Sequence, residues 1–429
     1  MATSAKRVPI PRNGVDYRGK VVLAPMVRSG ECPSRLLALK YGADLVWGPE
    51  TVDKSLIGTT RHVNPRTGAV EFRRLSSNHA KDAVAGAEIP ESIIYRLHPE
   101  REGKQHILQL GSADPDTAVA AAKIVAPDVV GVDLNSGCPK PFSTHSGMGA
   151  ALLRTPDLLC SILEALVKEV GKPNEIGISV KIRLLETPEL TRALVERLVG
   201  TGITGLTIHC RTTPMRPRER AIREQLRMIG DICRDAGVAC LMNGDVTSRD
   251  EALALAKEYG VDGGMIATAA ETNPSVFRSA EQGGKVAYEQ VIREYVEAAM
   301  QVENRWSNTK YLLAQMIPGK STDYPAMTST KSYSDIVRVF KWDDLTELAK
   351  EADKRLELGD FAKPKTTKAE RKAERKAAAK ATAQGEPTEQ SGAKGLKRKA
   401  DVAGLNESLP LPDASSLDIT QTAHTALHV

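Results

Sequence analysis

Eight short apolar runs rich in β-branched residues alternate with amphipathic helical stretches. This alternation constrains the fold more than any other feature of the chain. The runs are "VVLAPM", "DLVWGP", "HILQLG", "VVGVDLN", "GISVKIR", "ITGLTIHC", "VACLMNGD" and "DGGMIAT". Between them lie "DPDTAVAAAKIV", "TPDLLCSILEALVKEV", "ETPELTRALVERLVG" and "SRDEALALAKEYG", several opening on Asp, Ser or Thr and closing near Gly, as helix caps should. Strand–helix alternation implies a parallel sheet, and eight units over roughly 260 residues match a (β/α)8 TIM barrel, an α/β fold. The alternative is a doubly wound sheet, whose first strand usually runs into G-x-G-x-x-G; "APMVRSG" is not that turn.

The strand ends support the barrel. Pro25 and Met26, Gln109, Asn135, Lys181 with Arg183, His209 with Arg211, and Asn243 with Gly244 all close apolar runs. In a barrel these positions converge on the C-terminal mouth, where such folds keep their active sites. Cys138 follows in "DLNSGCPK", between a glycine and a proline, which favours an exposed loop tip. Its plain alternative is a small buried apolar residue. Lys181 could equally be satisfied by a neighbouring strand's carboxylate, and His209 could be an ordinary core histidine.

Two intervals depart from even spacing. Residues 50 to 105 are too many for one helix, and "RHVNPRTGAVEFRRL" predicts a β-hairpin excursion, either a substrate-gripping arm or a passive decoration. After the eighth strand, "YEQVIREYVEAAMQVENRW", "NTKYLLAQMI" and "DDLTELAKEADKRLEL" predict helices. The expected organisation is an N-terminal extension over 1–17, a barrel over 18–284, a small all-α domain over 285–362 and a disordered basic tail over 363–429. The tail holds "KPKTTKAERKAERKAAAK" and "KGLKRKA", with too few apolar residues to fold alone. It is an RNA-binding segment, a nuclear import signal or a solubilising tail.

The six cysteines form no C-x-x-C pair, so neither a zinc site nor a disulfide framework is indicated, and a reducing compartment is expected. No metal ligands are assigned. No apolar stretch is long enough to span a membrane, and the first residues lack a secretory core.

"LAPMVRSG", "LALKYGAD", "LQLGSADP", "DLNSGCPKPFSTHSGMGAALL", "VKIRL", "IHCRT" and "NGDV" occur in an order and spacing that resemble the tRNA-dihydrouridine synthases. "PMVRSG" and "CPKPFSTHSGMGAALL" resemble the eukaryotic branch that acts on uridine 20 of the tRNA D-loop. The resemblance covers about residues 18 to 360. It implies FMN as cofactor, NADPH or NADH as electron donor, tRNA as substrate, and a barrel paired with a helical domain. By position it implies that Pro25, Met26 and Val27 lie against the flavin. Gln109 and Lys181 would bond its ring edge, with His209 completing the contacts. Asn243, Gly244 and Asp245 would help bind the ribityl phosphate, with Ala267 and Thr268 nearby. Asn135 would lie near flavin and uracil, and Cys138 would be the catalytic acid. Arg28, Lys140, Arg183 and Arg211 are the expected substrate contacts, the last opening the basic stretch "RTTPMRPRER".

Two positions depart from the family pattern. Thr268 stands where an arginine usually reaches the phosphate, a loss of about 1.5–3 kcal/mol of charge-assisted bonding. Cys210 stands where a glycine usually follows the histidine. Lys140, near the thiol, pulls the Cys138 pKa down and partly opposes an acid role, a balance that the sequence leaves open. The competing functions are a flavin barrel acting on a free pyrimidine and an inactive RNA-binding or chaperone relative. No protein partner is read from the sequence; a monomer in the cytoplasm, the nucleus or both is expected.

Overall fold

The computed structural model describes residues 8–75 and 91–362. The expected basic tail lies outside the described residues. Eight strands close a parallel ring: β1 (Val21–Leu23), β2 (Leu45–Trp47), β7 (His106–Gly111), β8 (Gly131–Ser136), β9 (Gly177–Leu184), β10 (Gly205–Thr212), β11 (Ala239–Asn243) and β12 (Gly263–Ile266). Each pairs with its neighbour in order, and β2 pairs with β7 and β1 with β12 to complete the circle. A two-residue strand, β3 (Thr51–Val52), adds to the outer end of β7. All eight coincide with the apolar runs read from the sequence, because strands covered on both faces need continuous apolar residues.

Tyr17 closes the bottom of the barrel. Gly131, Gly177 and Gly205 begin their strands around it; a Cβ on Gly205 would stand 2.8 Å from its ring, and Cβ atoms on Gly131 and Gly177 3.2 and 3.4 Å from its hydroxyl. Trp47 packs beside it with ring centroids 5.9 Å apart. In its described part the N-terminal extension is packed onto the barrel: Val8 and Asn13 donate backbone N–H groups to Gly237 and Glu175.

Two barrel helices are capped where the quoted stretches open, Asp114 and Ser248 accepting from the N–H groups of Thr117 and Glu251. A third is capped by Thr187, one residue inside its stretch, which accepts from the Leu190 N–H, while Thr155 makes no side-chain cap bond. The predicted hairpin is β4 (Thr60–Val63) with β5 (Val70–Leu75), and a third antiparallel strand that the sequence reading did not assign, β6 (Glu91–Leu97), pairs with β5. After β12 come the predicted helices Tyr288–Gln301, Trp306–Met316 and Thr346–Leu356. Two further short ones, Asp323–Ser329 and Tyr333–Val339, were not read from the sequence.

The register brings the polar strand ends side by side at the C-terminal edge of the ring. Asn135 faces Lys181 across β8 and β9, Arg183 faces His209 across β9 and β10, and His209 faces Asn243 across β10 and β11.

Candidate active site at the barrel mouth

Two adjoining cavities open at that edge, of about 340 and 570 Å3, with Arg183, His209, Ala267 and Thr268 in the walls of both. The smaller is lined by Pro25, Met26, Val27, Gln109, Asn135, Cys138, Lys140 and Lys181. The larger is lined by Arg211, Asn243, Gly244 and Asp245. The predicted cofactor residues and Cys138 thus meet at a single opening. Glu50, Tyr311 and Lys285 also line it and were not read from the sequence. Glu50 ends the second strand run and followed the same strand-end logic; Tyr311 and Lys285 follow β12 and carried no local signal.

Cys138 sits on a loop clamped through its backbone. Asn135 Oδ1 accepts from the N–H groups of Gly137 and Cys138, both at 3.0 Å. Arg183 Nε donates to the Gly137 carbonyl at 2.7 Å, and the Ala150 N–H donates to the Cys138 carbonyl at 2.9 Å. Gly149 allows this close approach: its φ is +61°, and a Cβ there would stand 2.6 Å from the Cys138 carbonyl oxygen. The thiol is half-buried, whereas the other five cysteines are buried. Burial raises the Cys138 pKa and Glu50 adds to the rise, against Lys140 and Arg183, so the pull expected from Lys140 does not prevail.

Lys181 donates to Asn243 Oδ1 at 3.0 Å, an amide oxygen rather than a carboxylate. The carboxylate beneath it, Asp133, accepts instead from Gln109 Nε2 at 2.9 Å and Ser179 Oγ at 2.8 Å. Burial, with Arg183 second, lowers the Lys181 pKa to about 8. Burial also pushes Asp133 up to about 6. His209 is driven down to about 2 by burial and then by Lys181, Arg183 and Arg211, so its ring is neutral.

Three expected contacts do other work. Arg211 is buried in the wall of the larger cavity and donates to the carbonyls of Glu219 and Pro217 and to Asp245 Oδ1, so it also braces the loop after β10. The Asp245 carboxylate takes that bond and the Ala221 N–H, which leaves its side chain committed to the loop; the residue's φ is +49°. Arg183 holds the carbonyls of Gly137 and Thr212. Arg28 is exposed and lies over the Tyr311 ring at 3.9 Å, tying the first loop to the helix Trp306–Met316. Lys140 is exposed at the rim. Cys210 is fully buried in the main core, so its small apolar side chain fills space behind the site.

The family model for dihydrouridine synthases (Dus) matches residues 22–366. The tRNA-dihydrouridine(20) synthase [NAD(P)+] of Schizosaccharomyces pombe is 49% identical over 333 residues, covering 76% of this chain and 66% of that protein. The protein of the same name in Saccharomyces cerevisiae is 44% identical over 332 residues, covering 76% of this chain and 84% of that one. The tRNA-dihydrouridine(20a/20b) synthase [NAD(P)+] of S. cerevisiae is 27% identical over 260 residues, covering 61% of this chain and 62% of its own length. The match runs through every barrel strand but the first residue of β1 and on through the helices that follow, and the chain belongs to the dihydrouridine synthase family.

Proposed function

We propose that the chain reduces uridine to 5,6-dihydrouridine in tRNA, at position 20 of the D-loop, with FMN as cofactor and NADPH or NADH as electron donor. Cys138 carries this reading: a half-buried thiol, its pKa raised by burial, in the wall of a cavity that shares Arg183, His209, Ala267 and Thr268 with a second one lined by Asn243, Gly244 and Lys285. The relatives named above are tRNA-dihydrouridine(20) synthases.

The residues present fit a flavin. Lys181 offers a partly buried ammonium with no carboxylate hydrogen-bonded to it among the described residues, suited to the oxygen- and nitrogen-rich edge of the ring. Gln109 spends its amide on Asp133 and keeps its carbonyl oxygen for that edge. At the other end Gly244, at φ +124°, turns the chain after β11 where a side chain would strain. Asn243, Gly244, Ala267 and Thr268 line the space a phosphate would take. When bound, the flavin supplies the hydride that adds to uracil C6. Cys138 holds its proton at Sγ and delivers it to C5, the role for which a raised pKa is useful at neutral pH. Asn135 and Arg183 keep that sulfur in place by fixing the loop around it. A uracil in folded tRNA must be extruded to reach the cavity. Exposed Lys140, Arg216, Arg218 and Arg220 at and beyond the rim suit the phosphate backbone of such a substrate.

The test is direct. Purified protein with FMN and NADPH, given tRNA that lacks the modification, should convert uridine 20 and leave other uridines unchanged. Absence of dihydrouridine at position 20 in a flavin-loaded preparation would reject the reading.

Thr268 makes a second, quantitative test. No arginine stands there, and Lys285 is the lysine among the residues lining the larger cavity. Thr268→Arg should tighten FMN by about tenfold, the size of one charge-assisted bond at a partly solvated site. Lys285→Ala should weaken it by a smaller factor, because Lys285 is exposed. Flavin fluorescence titration reads both.

A further inference from the structure

Glu50 is a carboxyl group in an unusual place. It follows β2, lines the same cavity as Cys138, and sits so close over β7 that a Cβ on Gly111 would stand 2.7 Å from its Oε1. Ser143 Oγ donates to Oε1 at 3.3 Å, while Oε2 is buried with no hydrogen-bond partner among the described residues. Ser143 is itself buried and belongs to the turn after Cys138; a Cβ on Gly149 would meet both the Ser143 hydroxyl and the Cys138 carbonyl oxygen. The thiol loop is thus folded against this carboxyl group, and a buried, half-satisfied carboxyl needs a donor. Burial raises the Glu50 pKa, and Ser143, Cys138, Asn135 and Lys140, all from the strand and loop that carry the thiol, oppose that rise and favour the carboxylate.

We propose that Glu50 is the positioning residue for the proton donor: it accepts from the Cys138 S–H, aims it, and keeps the sulfur protonated among the cations of the mouth. Those cations are Lys140 and Arg183, which act on the thiol directly, and Lys181, on which the thiol acts in turn. Those cations favour the thiolate, which has no proton to give; burial of the sulfur opposes them first and Glu50 adds to that opposition. Glu50 supplies the opposing charge, and its side chain is the carboxylate among the groups that act on Cys138. No bond is made or broken at Glu50.

The inference depends on the proposed reaction only for its purpose, and the decisive measurement is independent of it. Cys138 alkylation by iodoacetamide, followed on the Cys138 peptide by mass spectrometry, reports the thiolate fraction as a function of pH in the flavin-loaded protein. Glu50→Gln keeps the size and removes the charge. The alkylation midpoint should fall by about half a unit or more, so that at a pH below the midpoint the rate rises about threefold or more. Glu50→Asp keeps a carboxylate and should stay within about twofold of wild type, which separates loss of charge from loss of packing. The alkaline limb of uridine reduction should move down with the alkylation curve in Glu50→Gln. An alkylation curve unchanged or moved upward in Glu50→Gln would overturn the assignment, as would one displaced equally by Glu50→Asp. If Glu50→Gln does not fold, Glu50→Asp still decides: a curve displaced downward by more than about threefold in that variant counts against the role. Failure of the reaction itself with the alkylation shift intact would reject the proposed function and leave the Glu50–Cys138 coupling standing.

Discussion

Cys138→Ala lowers uridine reduction by about 10²–10⁴-fold while flavin binding and NAD(P)H oxidation persist; that is the expected result with the largest effect on activity. The range is that of a positioned general acid, and the structure explains why the loss should be confined to the proton. The loop is held by Asn135 Oδ1, by Arg183 on the Gly137 carbonyl and by the Ala150 N–H on the Cys138 carbonyl, none of which passes through sulfur. Removing Sγ from a half-buried residue leaves those bonds and the cavity wall in place. Cys32, Cys160, Cys210, Cys233 and Cys240 are buried elsewhere and cannot substitute. Cys138→Ser is the informative companion. A hydroxyl fills the space and can still hydrogen-bond, but it gives up its proton far less readily, so activity should stay close to that of the alanine variant. Single-turnover assays of flavin reduction by NADPH and of dihydrouridine formation separate the two halves of the reaction. Dihydrouridine formed at the wild-type rate by Cys138→Ala would end the role of this thiol.

The barrel was legible because its strands are continuous apolar runs and their polar ends fall at one edge; Asn135, Lys181, His209 and Asn243 were found that way and lie together. What a charged strand-end residue does with its charge was not legible. Arg183, Arg211 and Asp245 were read as facing ligands, yet each is committed to a backbone or side-chain partner that only the loops between β10 and β11, and the Gly137 turn, bring near. The direction of the Cys138 shift was equally hidden, since Lys140 stands two residues away in sequence, whereas the burial that raises the pKa, and Glu50 after it, come from the fold. Tyr17 carried no periodic signal, and only the three glycines at the foot of β8, β9 and β10 reveal what it fills. The helices Asp323–Ser329 and Tyr333–Val339 are only seven residues each, too short to carry a periodic signal, and tertiary packing decides them.

The largest effect on stability is expected at Glu102. Its side chain is 1% exposed and accepts from Arg35 Nε at 2.6 Å and Nη2 at 3.1 Å and from the His98 N–H at 2.6 Å, while the His106 Nδ1 lies 3.1 Å away. Arg35 is equally buried and also donates to the carbonyls of Gly30 and Arg96 at 2.7 Å each. The pair therefore ties the helix Cys32–Lys40 to β6 and to the first barrel loop, which lines the cavity through Met26 and Val27. Glu102→Ala strands a guanidinium in a dry interior and should cost about 3–5 kcal/mol. Replacing both partners by apolar residues, as in Arg35→Met with Glu102→Leu, should recover most of that loss, because neither charge then remains to be desolvated. Arg35 and its neighbours hold the Glu102 pKa below the usual carboxylate value despite burial. A folded-state pKa below the unfolded one means that this stabilisation is complete above about pH 4.5 and fades as pH falls through the lowered value. Urea titrations at pH 7 should thus separate wild type from Glu102→Ala widely, and the gap should narrow on acidification below pH 4.5. A gap at pH 7 of less than about 1 kcal/mol, or one that does not narrow in acid, would show that Arg35 finds other partners and that the first loop is held by its carbonyl bonds alone.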